Sequence, residues 1–269
     1  NPLRLPLDVR TILVDAGPIV HFSDPSLKSA PYAYEDSVMP EGMAIIIDDG
    51  VIASIQDSQS VREEYSFHDD EPKNTNDASI RSLEGRAVIP GLIDTHTHLI
   101  WGGDRSQEVR WRQEGKSYLD ISKLGGGIAH TTQTTRNASA DHLYKMGYTR
   151  MRTALRTGTT HMEVKSGYGL DTQTELKLLE VAQRLDGNAH LPTLDCTWLG
   201  AHDVPKGVKK EDYVDHLLQE QLPAVVEQGI ARSADVFCEP GWFTVEDSER
   251  ILRASKEQGL SLRMHIDEF

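Results

Sequence analysis

Apolar β-like runs alternate strictly with helical runs from residue 88 onward, which predicts an α/β chain built on a parallel sheet. Titratable residues gather at the C-terminal ends of those runs. That narrows the prediction to the first five strands of a (β/α)8 TIM-like barrel, whose active sites open at that end. Before residue 88 the β-like runs are shorter and carry a hairpin signal, which predicts a small β-sandwich-like domain in front. The expected division is residues 1–87 for an incomplete β domain and 88–269 for the barrel strands.

The β domain is read from RTILVDAGPIVHF, MAIIIDDGVIASI and RAVIPG. In the second run Asp49-Gly50 lies between apolar stretches, the sequence of a tight hairpin turn. Residues 56–80, polar and mostly acidic, read as a long surface loop. The run around GLIDTHTHLI reads as a buried first strand. SADHLYKMGYTRMRTALRTG follows as a helix, with Ser139 at its N-cap and Gly158 as its stop. TTHMEVKSG is a second strand and DTQTELKLLEVAQRLDG a second helix. There Thr172 and Glu175 match a capping box, and Leu176, Leu179 and Leu185 lie near one face. TLDCTWLGAH is a third strand, and KKEDYVDHLLQEQLPAVVEQG a helical region with a kink expected at Pro223. ADVFCEPG, TVEDSERILRASKEQG and LSLRMHIDE supply strand, helix and fifth strand.

Composition excludes several classes of function. A formal net charge of −14 over 269 residues argues against nucleic acid or an anionic membrane as partner. Two cysteines, Cys196 and Cys238, cannot form a disulfide framework and are expected as core residues in a reduced cytoplasm. No apolar run reaches membrane-spanning length, and NPLRLPLDVR lacks the apolar centre of a signal peptide. A cytoplasmic protein without nucleic-acid or membrane partners is expected. The start at Asn1 and the end at Phe269, on a strand-like run, lead to the expectation of a truncated chain that is neither active nor stable alone.

The chemistry concentrates at the strand ends. His96 and His98, two apart on one strand, project together, and Asp94 is expected on the same side. A buried imidazole pair needs a partner, and a metal ion is the expected one. The second strand ends in Lys165-Ser166-Gly167-Tyr168-Gly169, the third in Gly200-Ala201-His202, the fourth in Cys238-Glu239 and the fifth in His265-x-Asp267-Glu268. In a barrel all of these reach one mouth. Gly125-Gly126-Gly127 lacks both the spacing and the preceding strand of a phosphate cradle.

DTHTHLIWGGDR resembles the first-strand motif of the amidohydrolase superfamily. GKSYLDISKLGGGI, EVKSGYGLDTQTELKLL, LGAHDVPKG, ADVFCEPGWF and HIDEF are similar, more narrowly, to the imidazolonepropionases within it, from about residue 85 to the end. The resemblance implies one divalent or trivalent metal ion, Zn or Fe, on His96, His98 and His265, with a further Asp ligand that this chain lacks. It implies substrate contacts from Arg105, Tyr168, His202 and Glu268, with Glu268 and His202 in catalytic roles. The implied reaction is hydrolysis of the cyclic amide of 4-imidazolone-5-propionate, a small-molecule substrate, to N-formimidoyl-L-glutamate in histidine degradation. A homodimer is a further possibility. Strand four carries no lysine and Lys165 lies on strand two, which argues against a carboxylated-lysine bridge between two metals. A hydantoinase-like or guanine-deaminase-like enzyme, or a metal-binding fragment without activity, are the competing readings.

Overall fold

The computed structural model describes residues 10–21, 37–67, 73–74, 78–117, 120–121 and 124–267. The chain divides at Pro90/Gly91 into two units.

The first unit is a mixed sheet. Its strands are β1 (Arg10–Ala16), β2 (Ile19–Val20), β3 (Val38–Met39), β4 (Met43–Asp48), β5 (Val51–Asp57), β6 (Lys73–Asn74) and β7 (Ala78–Ser82). Five of them run in the order β5-β4-β1-β7-β6, with β1 and β7 parallel, while β2 and β3 pair separately. Asp49 and Gly50 both adopt positive φ (50° and 77°), the mirror-image turn that matches strand twist, so the hairpin is where the sequence predicts it. The third β-like run, RAVIPG, contributes only a bridge from Val88 to Ile19.

The long loop expected over residues 56–80 is not what forms. Helix α1 (Ser58–Glu64) starts there, its first turn capped by the Asp57 carboxylate accepting from the Ser60 amide. Strand β7 closes the stretch and pairs with β1 inside the sheet. A short helix with one inward apolar residue has no visible period. Yet Val61 and the following Phe67 are buried against Ile12, Val14, Ile46 and Ile80, and that burial outweighs the polar composition. Residues 68–72 and 75–77 of the expected loop lie outside the described residues.

The second unit alternates as predicted: β8 (Leu92–Thr97), α2 (Ser106–Gln113), α3 (Gly127–Asn137), α4 (Ala140–Arg156), β9 (Thr159–Lys165), α5 (Thr172–Asp186), β10 (Thr193–Ala201), α6 (Lys210–His216), α7 (Leu222–Gln228), β11 (Ser233–Val236), α8 (Val245–Glu257) and β12 (Ser261–Leu262). All four neighbouring pairs are parallel, in the sequential order β12-β11-β10-β9-β8. Helices α2 and α3 were not anticipated, because their polar sequences show no apolar stripe. The break before Pro223 is one wide π turn, Leu217–Gln221, rather than a simple kink; proline then sits in the first turn of α7, where its missing N–H costs nothing. The fifth strand is shorter than LSLRMHIDE, with a two-residue ladder and a separate bridge from His265 to Phe237.

Strand alternation sorts the sheet's two faces. Met162, Val164, Leu194, Cys196, Trp198, Ala234 and Val236 point into the helical layer and pack with Leu178, Leu179, Leu185 and Ile251. The opposite phase carries Glu163, Lys165, Asp195, Thr197, Asp235 and His265. The first strand is not buried as expected: Leu92 and Ile93 are 51% and 63% exposed, because β8 is an edge strand with β9 as its sole neighbour in the sheet among the described residues. Burial begins just beyond it, at Leu99 and Ile100. There the Arg150 guanidinium stacks on the Trp101 ring and donates to the Leu99 and Trp101 carbonyls.

Ser139 caps α4 as predicted, its hydroxyl accepting from the His142 amide at 3.2 Å. Replacing it with alanine is expected to cost about 1 kcal/mol. In urea unfolding this should read as an earlier midpoint at unchanged slope; a midpoint that does not move would show that the cap contributes nothing.

Candidate metal centre

The parallel strands carry their polar ends to one side. His96 lies on β8 and His98 just past it. Tyr168 follows β9, His202 follows β10, and His265 bridges to the end of β11. One ring nitrogen each from His96, His98 and His265 fall within 4.8 Å of one another. The His96 and His265 rings meet edge-on, 4.4 Å between centres. His202 stacks on His98 at 4.9 Å, and Tyr168 lies 5.4 Å from His98 and 5.1 Å from His202. The Asp94 carboxylate is exposed and turned to the His96 amide, outside this cluster.

Burial favours the neutral form of His96, His98 and His202. Burial, reinforced by the neighbouring imidazoles, pushes His98 down to about 2. Burial lowers His202 to about 4, and burial with His265 lowers His96. The neutral imidazole is the form that ligates a metal. His202 Nδ1 lies 2.8 Å from the Gly167 carbonyl oxygen, which can only accept. Nδ1 therefore carries the proton and Nε2 is an acceptor. By contrast, His98 Nδ1 and His265 Nε2 are buried without a hydrogen-bond partner. Buried nitrogens left over in a cluster of imidazoles fit a metal ion.

Beneath the rings lies a charged layer that reasoning from sequence missed. Lys165 Nζ sits 2.7 Å from Glu163 Oε1 and 2.7 Å from Asp235 Oδ2, all three side chains nearly inaccessible. Asp235 Oδ2 is also 3.0 Å from His265 Nδ1. Arg263 pairs with Asp195 at 2.6 Å and approaches Glu163 at 3.7 Å. Three acidic side chains thus face two basic ones beneath the histidines. Burial alone would push the Asp235 carboxyl up, but His265 and Lys165 outweigh it and hold it below the usual range. The signal was present in the sequence: MEVK, LDCT, ADV and RMH each place polar residues at the phase opposite their apolar ones.

The loop carrying Tyr168 is pinned from α5. Glu175 does not complete a capping box with Thr172. Asp171 caps the helix instead, accepting from the Thr174 amide. The fully buried Glu175 carboxylate accepts from the amides of Gly167, Gly169 and Leu170 at 2.8, 2.7 and 3.0 Å. Three convergent loop amides attract the carboxylate more strongly than the single amide of a capping box. Gly167 holds φ +101°, and a Cβ there would meet His202 Nδ1 at 3.0 Å.

Arg105 is placed differently. Its Nε and Nη2 donate to both oxygens of Glu108 at 2.7 Å each, and Glu108, buried, also accepts from the Gly127 amide at 2.7 Å. The Nε–Nη2 edge of the guanidinium is therefore engaged three residues along its own helix. The residue lines a cavity of about 560 Å³ with Glu108, Trp111, Gly126 and His130. The Gly127 amide being occupied agrees with the glycine triplet not serving as a phosphate cradle. Glu268 lies outside the described residues. Cys196 is buried and its thiol pushed up to about 12 by burial, while Cys238 is only half-buried rather than in the core.

With this geometry, comparison with known proteins is informative. A family model described as "Amidohydrolase family" matches residues 80–269. A protein of Clostridium tetani named "Imidazolonepropionase" is 38% identical over 230 residues, covering 85% of this chain and 53% of that protein. One of the same name from Haloarcula marismortui is 42% identical over 235 residues, covering 87% and 53%. The chain spans about half the length of the curated relatives it matches. Among solved structures, 5-methylcytosine deaminase from Klebsiella pneumoniae is similar with a TM-score of 0.59 at 15% identity, over 96% of this chain and 51% of that one. At that identity the likeness concerns the fold.

Proposed function

The chain belongs to the amidohydrolase family, and from that membership we propose that the whole protein hydrolyses the cyclic amide of 4-imidazolone-5-propionate to N-formimidoyl-L-glutamate, a step of histidine degradation. The observation that carries the reading is the convergence of His96, His98 and His265, with unpartnered buried nitrogens, in a chain 38% to 46% identical to proteins named imidazolonepropionase. The five sequential parallel strands are, on this reading, the first five of a (β/α)8 barrel, and their polar face is its interior. The absence of a disulfide pairing and the acidic balance support action on a small molecule in the cytoplasm.

His96, His98 and His265 are the ligands this chain offers to a single ion, Zn or Fe. When bound, such an ion supplies Lewis-acid polarisation of the ring carbonyl and a water whose pKa falls from about 15.7 toward about 7. The other steps fall to side chains. His202, with Nε2 an acceptor, takes a ring N–H of the substrate and orients it. Tyr168, its ring tilted 57° against that of His202, bounds the ring site. On this reading Arg105 is the residue that meets the propionate. Glu268 is the carboxylate assigned to move a proton toward the departing ring nitrogen.

The test is to express these residues, and the longest reading frame that contains them, and to assay imidazolonepropionate beside hydantoin and guanine. Turnover of imidazolonepropionate alone is expected. Preference for either alternative would replace the substrate assignment while leaving the family intact. In the active form Arg105→Lys is expected to raise KM about tenfold, the equivalent of about 1.4 kcal/mol, with kcat little changed. An unchanged KM would remove Arg105 from the substrate.

A further inference from the structure

The buried ion pair of Lys165 and Asp235 has no evident reason to exist as a stabilising device. Taking two charges out of water is costly, and well-packed apolar residues of similar volume often serve stability as well or better. Both side chains are nearly inaccessible, at 2% and 1% exposure. The pair also does not stand alone. The oxygen that Lys165 holds, Asp235 Oδ2, is the one 3.0 Å from His265 Nδ1, and Glu163 receives Lys165 on its other side at 2.7 Å.

Each element is held by backbone that leaves it little freedom. Glu163 and Lys165 are two apart on β9 and Asp235 is on β11, with β10 between them. The salt bridge thus spans a strand across the sheet interior. His265 is joined to β11 by its own bridge, its amide donating to the Val236 carbonyl at 3.0 Å and its carbonyl accepting from the Cys238 amide at 3.0 Å. An imidazole beside a carboxylate places its N–H on the near nitrogen, so the far nitrogen keeps its lone pair.

We propose that Asp235, anchored by Lys165, is the positioning residue of His265: it holds the ring as the Nδ1–H tautomer and turns Nε2 toward His96 and His98. Lys165 fixes the carboxylate, the carboxylate fixes the tautomer, and the tautomer determines which nitrogen the site receives. This rests on the reading of the three histidines as metal ligands, but its central statement concerns the ring itself and can be tested without metal.

The first experiment uses the unaltered chain, labelled with 15N-histidine and freed of metal by chelator. Long-range proton–nitrogen correlation spectra, with His265 assigned by its loss in His265→Gln, are expected to show the Nδ1–H tautomer. An Nε2–H tautomer overturns the proposal, whatever the metal does. The second titrates Zn²⁺ into the unaltered chain and into Asp235→Asn by calorimetry, each checked by circular dichroism for a folded state. The expected result is affinity weakened by about 10- to 100-fold in Asp235→Asn, the usual effect of removing an outer partner of a ligating histidine. Affinity within about threefold in a folded variant overturns the positioning role. A purely structural ion pair would shift thermal stability and leave the tautomer and the affinity of the folded form unchanged. If the unaltered chain binds no Zn²⁺, the metal reading fails, and the tautomer still decides for or against Asp235. If Asp235→Asn does not fold, the spectrum of the unaltered chain decides alone.

Discussion

Replacing His98 with alanine should leave the protein unable to retain metal. His98 contributes one of three imidazole nitrogens gathered within 4.8 Å, and it stands among His96, His202 and His265. A structural zinc site is worth about 10–16 kcal/mol over four ligands, so one ligand carries roughly 3 kcal/mol. At about 1.4 kcal/mol per tenfold, its loss weakens binding by at least about a hundredfold. Metal content after dialysis, read by atomic absorption, is expected to fall from near one ion per chain to background, with any hydrolytic activity falling in parallel. The thermal shift that added Zn²⁺ produces should disappear as well, since a ligand stabilises only what binds it. A variant that keeps its metal through dialysis would refute the three-histidine site. The metal-free variant should fold like the parent, because His98 Nδ1 makes no hydrogen bond whose loss would strand a partner.

Glu175→Ala should be the most damaging single change to the stability of the second unit. The carboxylate is fully buried and three backbone amides converge on it. Its removal strands those donors, each at about 1–3 kcal/mol, and opens a small void, so a loss of at least about 3 kcal/mol is expected in denaturant unfolding. Glu175→Gln keeps one acceptor oxygen but turns an NH₂ toward amide donors, and should lie between alanine and the parent. The pH dependence has a definite sign. Burial raises the Glu175 carboxyl above its ordinary value, against the opposing hydrogen bonds from Ser166 and the loop amides. Folded protein therefore binds this proton more readily than unfolded, and its contribution to stability falls as pH rises from the ordinary glutamate range through the raised folded value. In Glu175→Gln that slope should be absent. A slope equal to the parent's would assign the pH dependence to another group.

Much of the second unit could be read from residues alone. Each β9, β10 and β11 run alternates apolar and polar residues, each intervening segment has an apolar stripe, and Ser139 and Gly158 bracket α4 where capping chemistry requires. The helices that escaped, α1, α2 and α3, are polar over most of their length. Their apolar residues are too few to set a period, and tertiary burial of Val61, Ile128 and their neighbours selects the helix. Thr172 and Glu175 matched a capping pattern by spacing, but Glu175 went to the loop amides, because a carboxylate goes where most donors converge. Spacing within a helix cannot register a donor set that lies outside it.

The same contrast applies to the candidate site. The residue types and their place at strand ends, His96, His98, Tyr168, His202 and His265, follow from the sequence, since a parallel sheet must bring consecutive C-terminal ends to one side. What only the tertiary structure decided is which atoms meet there. It paired Arg105 with Glu108, gave Nδ1 of His202 to Gly167, and set Lys165 between Glu163 and Asp235 beneath His265. Such pairings depend on distances across neighbouring strands and on the angle at which each loop leaves its strand. One-dimensional spacing determines neither, whereas the sheet's register determines both.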